Sequence, residues 1–98
     1  MQINFEWDPA KEIKNRTKHK ISFELAATIF KDPNALSIYD KKHSNPREDI
    51  WITLGISQKG SLLVVVHTYE ELNENTVKVR IISSRKATKT EKRQYQGE

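Results

Sequence analysis

The stretch Val77–Tyr95, VKVRIISSRKATKTEKRQY, begins as an apolar alternation and ends as a charged segment. It holds the two side chains best suited to chemistry, Arg80 and Arg85. The planar donor fork of arginine matches a phosphate, and Lys86, Lys89 and Arg93 add positive charge around it. Arginine stays protonated, so it can stabilise charge but cannot exchange a proton. A titrating partner is needed, and His67 is the leading candidate, with Glu48 as a reserve carboxylate base. Alternation turns Val77, Val79 and Ile81 to one face and Lys78, Arg80 and Ile82 to the other. If the hairpin aligns its polar positions, His67 stands beside Arg80 on an open sheet face. Trp51, Tyr69 and Tyr95 offer rings on which bases could stack.

Each of these residues also has a plain structural use. A half-solvated sheet face carries surface cations and ion pairs, and aromatic residues on a small sheet usually pack. Lys18 and His19 close a first helix, where cations complement its dipole, and that account is sufficient for them. Asp8 reads as a helix cap. Other chemistries are poorly supplied. The three glycines are not clustered into a phosphate cradle, and His19, His43 and His67 have no metal-ligand spacing. The serines lack a nucleophile-elbow motif, and the absence of cysteine excludes thiol catalysis and disulfides. No cofactor is implied.

Several elements must position these residues. Ile3, Phe5 and Trp7 alternate as a short strand. Asp8-Pro9 then starts a surface helix, whose apolar stripe is only Ala10 and Ile13. Phe23, Ala26, Ala27 and Phe30 give a second helix one apolar face, ended by Asp32-Pro33. ALSIYD, DIWITLGI, SLLVVVHTY and TVKVRIIS follow as strands, with SQKG as a hairpin connection and EELNEN as a polar turn. Thr88 and Glu91 have capping-box spacing and begin a terminal helix. The predicted fold is α+β in the order β-α-α-β-β-β-β-α. Residues 1–98 form one domain, with the second helix covering one face of an antiparallel sheet.

The chain has 98 residues, 31% of them charged, and a formal net charge of +4, a balance that favours acidic partners. No apolar run is long enough to span a membrane, and the N-terminus lacks a signal-peptide pattern, so a cytoplasmic protein is expected.

FEWDPAKEIKNRTKHKISFELAATIFKD, REDIWITLGIS, LLVVVHTYEE and VRIISSRKATKTEKRQY together resemble BrnT, the toxin family of type II BrnT/BrnA toxin–antitoxin pairs. The resemblance runs in order over nearly the whole chain. The combination W-D-P-x-K…N…K-H with R-I-I-S-x-R-K-A-T…E is its most specific part. Ser84 stands where the motif commonly has alanine. The resemblance implies a RelE-like ribonuclease fold and endoribonuclease activity that arrests translation and growth. It also implies a ribbon-helix-helix antitoxin like BrnA, through which alone DNA would be contacted. It places the family's basic motif on Arg80, Arg85 and Lys86.

The expected site therefore has Arg80, Arg85, His67 and Glu48 as catalytic groups. Lys86, Lys89, Arg93 and Tyr95 hold RNA, and no metal is used. The reading requires the two guanidiniums to reach a cleft rather than stand locked against carboxylates away from one. The competing reading is a non-catalytic basic module for an acidic protein or nucleic acid. Direct DNA binding is disfavoured, because no helix-turn-helix is recognisable.

Overall fold

Asp8 starts the first helix by accepting the Ala10 N–H at 2.9 Å, and Pro9 occupies the position where a missing N–H costs nothing. This helix, α1, spans Pro9–His19 and ends on Lys20 in the left-handed region (φ 61°). The computed structural model describes the whole chain, Met1–Glu98. Before α1 lies strand β1 (Gln2–Glu6), and after it the short helix α2 (Phe23–Ala27), which continues as a 3₁₀ turn over Thr28–Lys31. Ser22 caps α2 by accepting the Leu25 N–H. Strands β2 (Leu36–Tyr39), β3 (Ile50–Ile56), β4 (Leu62–Thr68), β5 (Glu70–Asn73) and β6 (Thr76–Lys86) follow, and α3 (Lys89–Tyr95) closes the chain. Thr88 and Glu91 form the expected capping box of α3.

The α+β order anticipated from the sequence is present. The sheet runs β1-β6-β4-β3-β2, with β5 also paired to β6. Two details differ from expectation. First, β1 pairs with β6 in parallel rather than antiparallel; the whole intervening chain serves as the crossover. Second, Glu70–Asn73, expected as a turn, is a strand, because the β4–β6 hairpin prolongs its ladder past Tyr69 onto Thr76–Lys78. The turn itself is only Glu74-Asn75.

The register assigns the faces, since directly paired residues share one. Leu63, Val65 and His67 of β4 align with Gly55, Thr53 and Trp51 of β3. They lie on the side of Val77, Val79 and Ile81, covered by Ile21, Phe23, Ala26 and Ile29. The second face carries Ile52, Val64, Val66, Thr68, Lys78, Arg80, Ser83 and Arg85. Between Val66 and His67 the β4–β6 register slips: Val66 faces Ser83 and His67 faces Ile81, so Ile82 is an extra residue.

β1 ends opposite Arg80, leaving the rest of β6 with a free edge. Helix α1 takes it over. Its only side chains that are not exposed are Glu12, Asn15 and His19, a polar stripe at i, i+3 and i+7. Asn15 accepts the Ser84 N–H at 3.0 Å and donates to the Ile21 carbonyl at 3.2 Å.

Candidate functional site

Arg80 and Arg85 both point to the second face of β6. Five residues at about 3.3 Å each put them roughly 15 Å apart along the strand, so they serve two clefts rather than one phosphate. Both guanidiniums are paired, and both line a cleft. Arg80 holds Glu48 across a cavity of about 420 Å³. Arg47, Lys78 and Arg80 meet there the carboxylates of Glu6, Glu48, Asp49 and Glu70. The Arg80–Glu48 pair is more than one-third exposed on both sides, and such pairs contribute only about 0.2–1 kcal/mol. Breaking this pair is therefore cheap, while Glu6, Asp49 and Glu70 keep the cleft more acidic than basic.

Arg85 makes a two-pronged pair with Glu91 of α3, both bonds at 2.8 Å. That contact, helped by the Thr88 N–H, lowers the Glu91 pKa to about 2 and raises that of Arg85. Arg85 also borders a small cavity of about 110 Å³ with His19, Ser83, Ser84, Ile52, Val64 and Val66. His19 reaches this cavity from the last turn of α1, which Asn15 fastens to the neighbouring Ser84 backbone. The Ser84 hydroxyl is buried and has no hydrogen-bond partner. It faces Val65 on the helix-covered side, so an imidazole, a guanidinium and the Ser83 hydroxyl are what converge on the hollow. They can hold a phosphate oxygen, stabilise its charge and exchange a proton.

His67 lies elsewhere, and the expected pairing with Arg80 is corrected. Its side chain is on the helix-covered face, 2% exposed, edge-on to Phe30 at 4.8 Å. Nδ1 donates to the Thr68 carbonyl at 2.8 Å, and Nε2 lies 2.6 Å from the Thr53 hydroxyl. Burial lowers its pKa, against the opposing pull of the Thr68 carbonyl. With both nitrogens occupied and the sheet between them, it cannot act beside Arg80. The alternation placed His67 on the right face of β4. The assumption that its partner strand would align polar with polar was the error.

A family model described as "Ribonuclease toxin, BrnT, of type II toxin-antitoxin system" matches residues 7–91. The chain belongs to the BrnT family. Among curated proteins none matches it. Residues of both motifs whose combination is specific, His19 of W-D-P-x-K…N…K-H and Ser83 and Arg85 of R-I-I-S-x-R-K-A-T…E, border one cavity. Membership makes the chain one of the ribonuclease toxins of type II toxin–antitoxin systems. No helix is long and apolar enough to cross a membrane.

The remaining expected residues divide. Lys86 and Tyr95 come together at the end of the sheet, bordering a cavity of about 470 Å³ along with Ser61, Lys92 and Gln96. Tyr95 donates to Asp32 at 2.6 Å, and this bond raises the tyrosine pKa. Lys89 and Arg93 stand exposed on α3 outside that cavity. Sequence reasoning gave His19 a structural role only. The signal for it was the stripe Glu12, Asn15, His19, which marks the inward side of a helix whose single isoleucine, Ile13, faces solvent.

Proposed function

We propose that this chain is a metal-independent endoribonuclease whose reacting centre is the hollow between His19 and Arg85. The observation that carries the reading is the convergence of these two side chains, from separate elements, on one cavity with Ser83. A phosphate of single-stranded RNA sits against Arg85, with the Ser83 hydroxyl donating to one of its oxygens. His19 takes the proton of the adjacent 2′-hydroxyl, and the 2′-oxygen attacks phosphorus. Arg85 stabilises the added negative charge. The bond to the 5′-oxygen breaks, giving a 2′,3′-cyclic phosphate and a 5′-hydroxyl end. Solvent protonates the departing oxygen and later removes the proton from His19. Because no second imidazole faces this strand, turnover is slow and rests mainly on positioning and charge.

Arg80 grips the chain a few nucleotides away, exchanging Glu48 for a phosphate, and Lys86 and Tyr95 extend the track beyond Arg85. Glu48, occupied by Arg80 and remote from His19, is a gate to the second cleft rather than the base. The partner is a ribbon-helix-helix antitoxin that covers this face and alone contacts DNA, and the complex works in the cytoplasm.

The test is incubation of purified protein with RNA in chelator. Cut ends carrying cyclic phosphate, lost in a folded His19→Ala variant, are expected. Cleavage by folded His19→Ala and Arg85→Ala at the parental rate would sink the assignment. A second reading has one observation in its favour: both guanidiniums already hold carboxylates. A non-catalytic module for an acidic protein partner would look the same, and protection of RNA without cutting would mark it.

A further inference from the structure

On the helix-covered face, beyond the reach of α2, lies a hollow of about 250 Å³ lined by Phe30, Ser37, Trp51, His67 and Tyr69. Its walls are mostly aromatic, and Trp51 is further fixed edge-on by Tyr39 at 5.3 Å. Tyr69, just past the end of β4, also borders the cleft of Arg80 and Arg47 on the other face of the sheet. An RNA strand held at Arg80 would reach the aromatic hollow by rounding the end of β4 past Tyr69, with a neighbouring nucleotide supplying the base.

The polar atoms of this hollow form a chain with one permitted direction. The Thr68 carbonyl can only accept, so Nδ1 of His67 carries a hydrogen. In the neutral imidazole Nε2 is then an acceptor, and the Thr53 hydroxyl donates to it at 2.6 Å. With its proton committed, Thr53 accepts from Ser37 at 2.8 Å. The Ser37 proton is committed in turn, and Ser37 offers the hollow only lone pairs. We infer that the hollow of Trp51, Tyr69 and Ser37 is a nucleobase subsite that selects a base bearing an exocyclic amine (adenine, cytosine or guanine) over uracil. The amine donates to Ser37 Oγ while the ring stacks among the aromatic side chains. Uracil brings two carbonyls flanking its only N–H, and these meet the lone pairs of Ser37. The inference rests on RNA being the ligand of this protein and adds which base it reads, away from the reacting centre.

The experiment uses short 2′-O-methyl oligonucleotides, which cannot be cleaved through the 2′-oxygen, as oligo(A), oligo(C) and oligo(U). Affinity is measured by anisotropy of an end label. The expected result is that oligo(A) and oligo(C) bind about tenfold more tightly than oligo(U), or about 1.4 kcal/mol. Ser37→Ala should bring the first two down to the oligo(U) level and leave oligo(U) unchanged. Thr53→Val keeps the shape but frees the Ser37 proton, and it should strengthen oligo(U) selectively. Thermal melting checks that each variant is folded. Equal affinity for the three strands in the parent, or a Ser37→Ala loss shared equally by all three, overturns the subsite and leaves the ribonuclease reading standing. If no strand binds, both fall.

Discussion

Asn15 and Ser84 are 69 positions apart, yet the side chain of one closes the backbone of the other at 3.0 Å. The bond lies where β1 has ended and β6 would otherwise present a bare edge. It fixes α1 against the strand that carries Ser83 and Arg85, and so sets where His19 enters the cavity.

Replacing Asn15 with alanine should be costly. The residue is buried and satisfies both the Ser84 N–H and the Ile21 carbonyl. Leaving such groups unpaired costs about 1–3 kcal/mol each. The expected loss, read by urea denaturation, is about 2–4 kcal/mol, with RNA cleavage falling even under conditions where the variant remains folded. Asn15→Asp keeps the acceptor for Ser84 but loses the donor to Ile21, and it should fall between the parent and the alanine variant.

Gly55 offers a second stability test. A Cβ there would lie 3.1 Å from the Ile29 Cβ, 3.3 Å from the Ala35 Cβ and 3.3 Å from the Ile29 carbonyl oxygen. The 3₁₀ turn packs on β3 at this point, and there is no flexible side-chain end to swing away. Gly55→Ala should destabilise the protein by about 1–3 kcal/mol, and Ile29→Val in the same chain should recover none of it, since the shared atom is Cβ. A Gly55→Ala melting temperature at or above that of the parent would refute the close approach.

Local signals explain how much of this fold the sequence discloses. Asp8-Pro9, Ser22 and Thr88…Glu91 are short-range caps, and all three start helices where their chemistry says they should. The run LLVVVHT is apolar on both faces and is indeed the central strand β4. What failed depends on distant partners. The bulge at Ile82 exists only in the pairing of β4 with β6, and it decides which residue His67 meets. Histidine was expected to seek solvent, but Thr53 and Thr68 satisfy it inside. The face of α1 was misjudged because its buried stripe is polar and packs on a strand edge rather than on an apolar core. The cavity of His19 and Arg85 followed from both errors: it needs the true face of α1 and the true register of β6.

Acid should progressively remove the contribution of the Arg85–Glu91 pair. The folded-state pKa of Glu91 is about 2, below its ordinary value of 4.5. A depressed carboxylate contributes stability above the unfolded value and loses it as pH falls through the folded one. The window is therefore about pH 4.5 down to 2, and the contribution is on the order of 1 kcal/mol once the exposure of Arg85 is discounted. Glu91→Gln should lower stability at pH 7 by that amount and flatten its pH dependence across the window. Its amide oxygen can still accept the Thr88 N–H, so the capping box and the far-ultraviolet signal of α3 should be retained. An unchanged acid profile in Glu91→Gln would show that the pair does not govern this transition.

The two arginines should separate in steady-state kinetics. On the proposed mechanism Arg85 lies at the reacting phosphate, where charge grows only as the bond breaks, and Arg80 grips the chain roughly 15 Å away whether or not reaction occurs. Arg85→Ala should therefore lower kcat by about 10²-fold or more, the scale seen when one donor to a developing oxyanion is removed. Arg80→Ala should raise KM severalfold with kcat nearly unchanged, the mark of lost uniform binding. Glu48→Gln should act in the opposite sense to Arg80→Ala, because an uncharged partner competes less well with phosphate for the guanidinium. KM should fall, and salt should weaken RNA binding more steeply as one more phosphate contact is made. If Glu48→Gln abolishes cleavage while His19→Ala retains it, the carboxylate is the base and the reacting centre belongs in the cleft of Arg80.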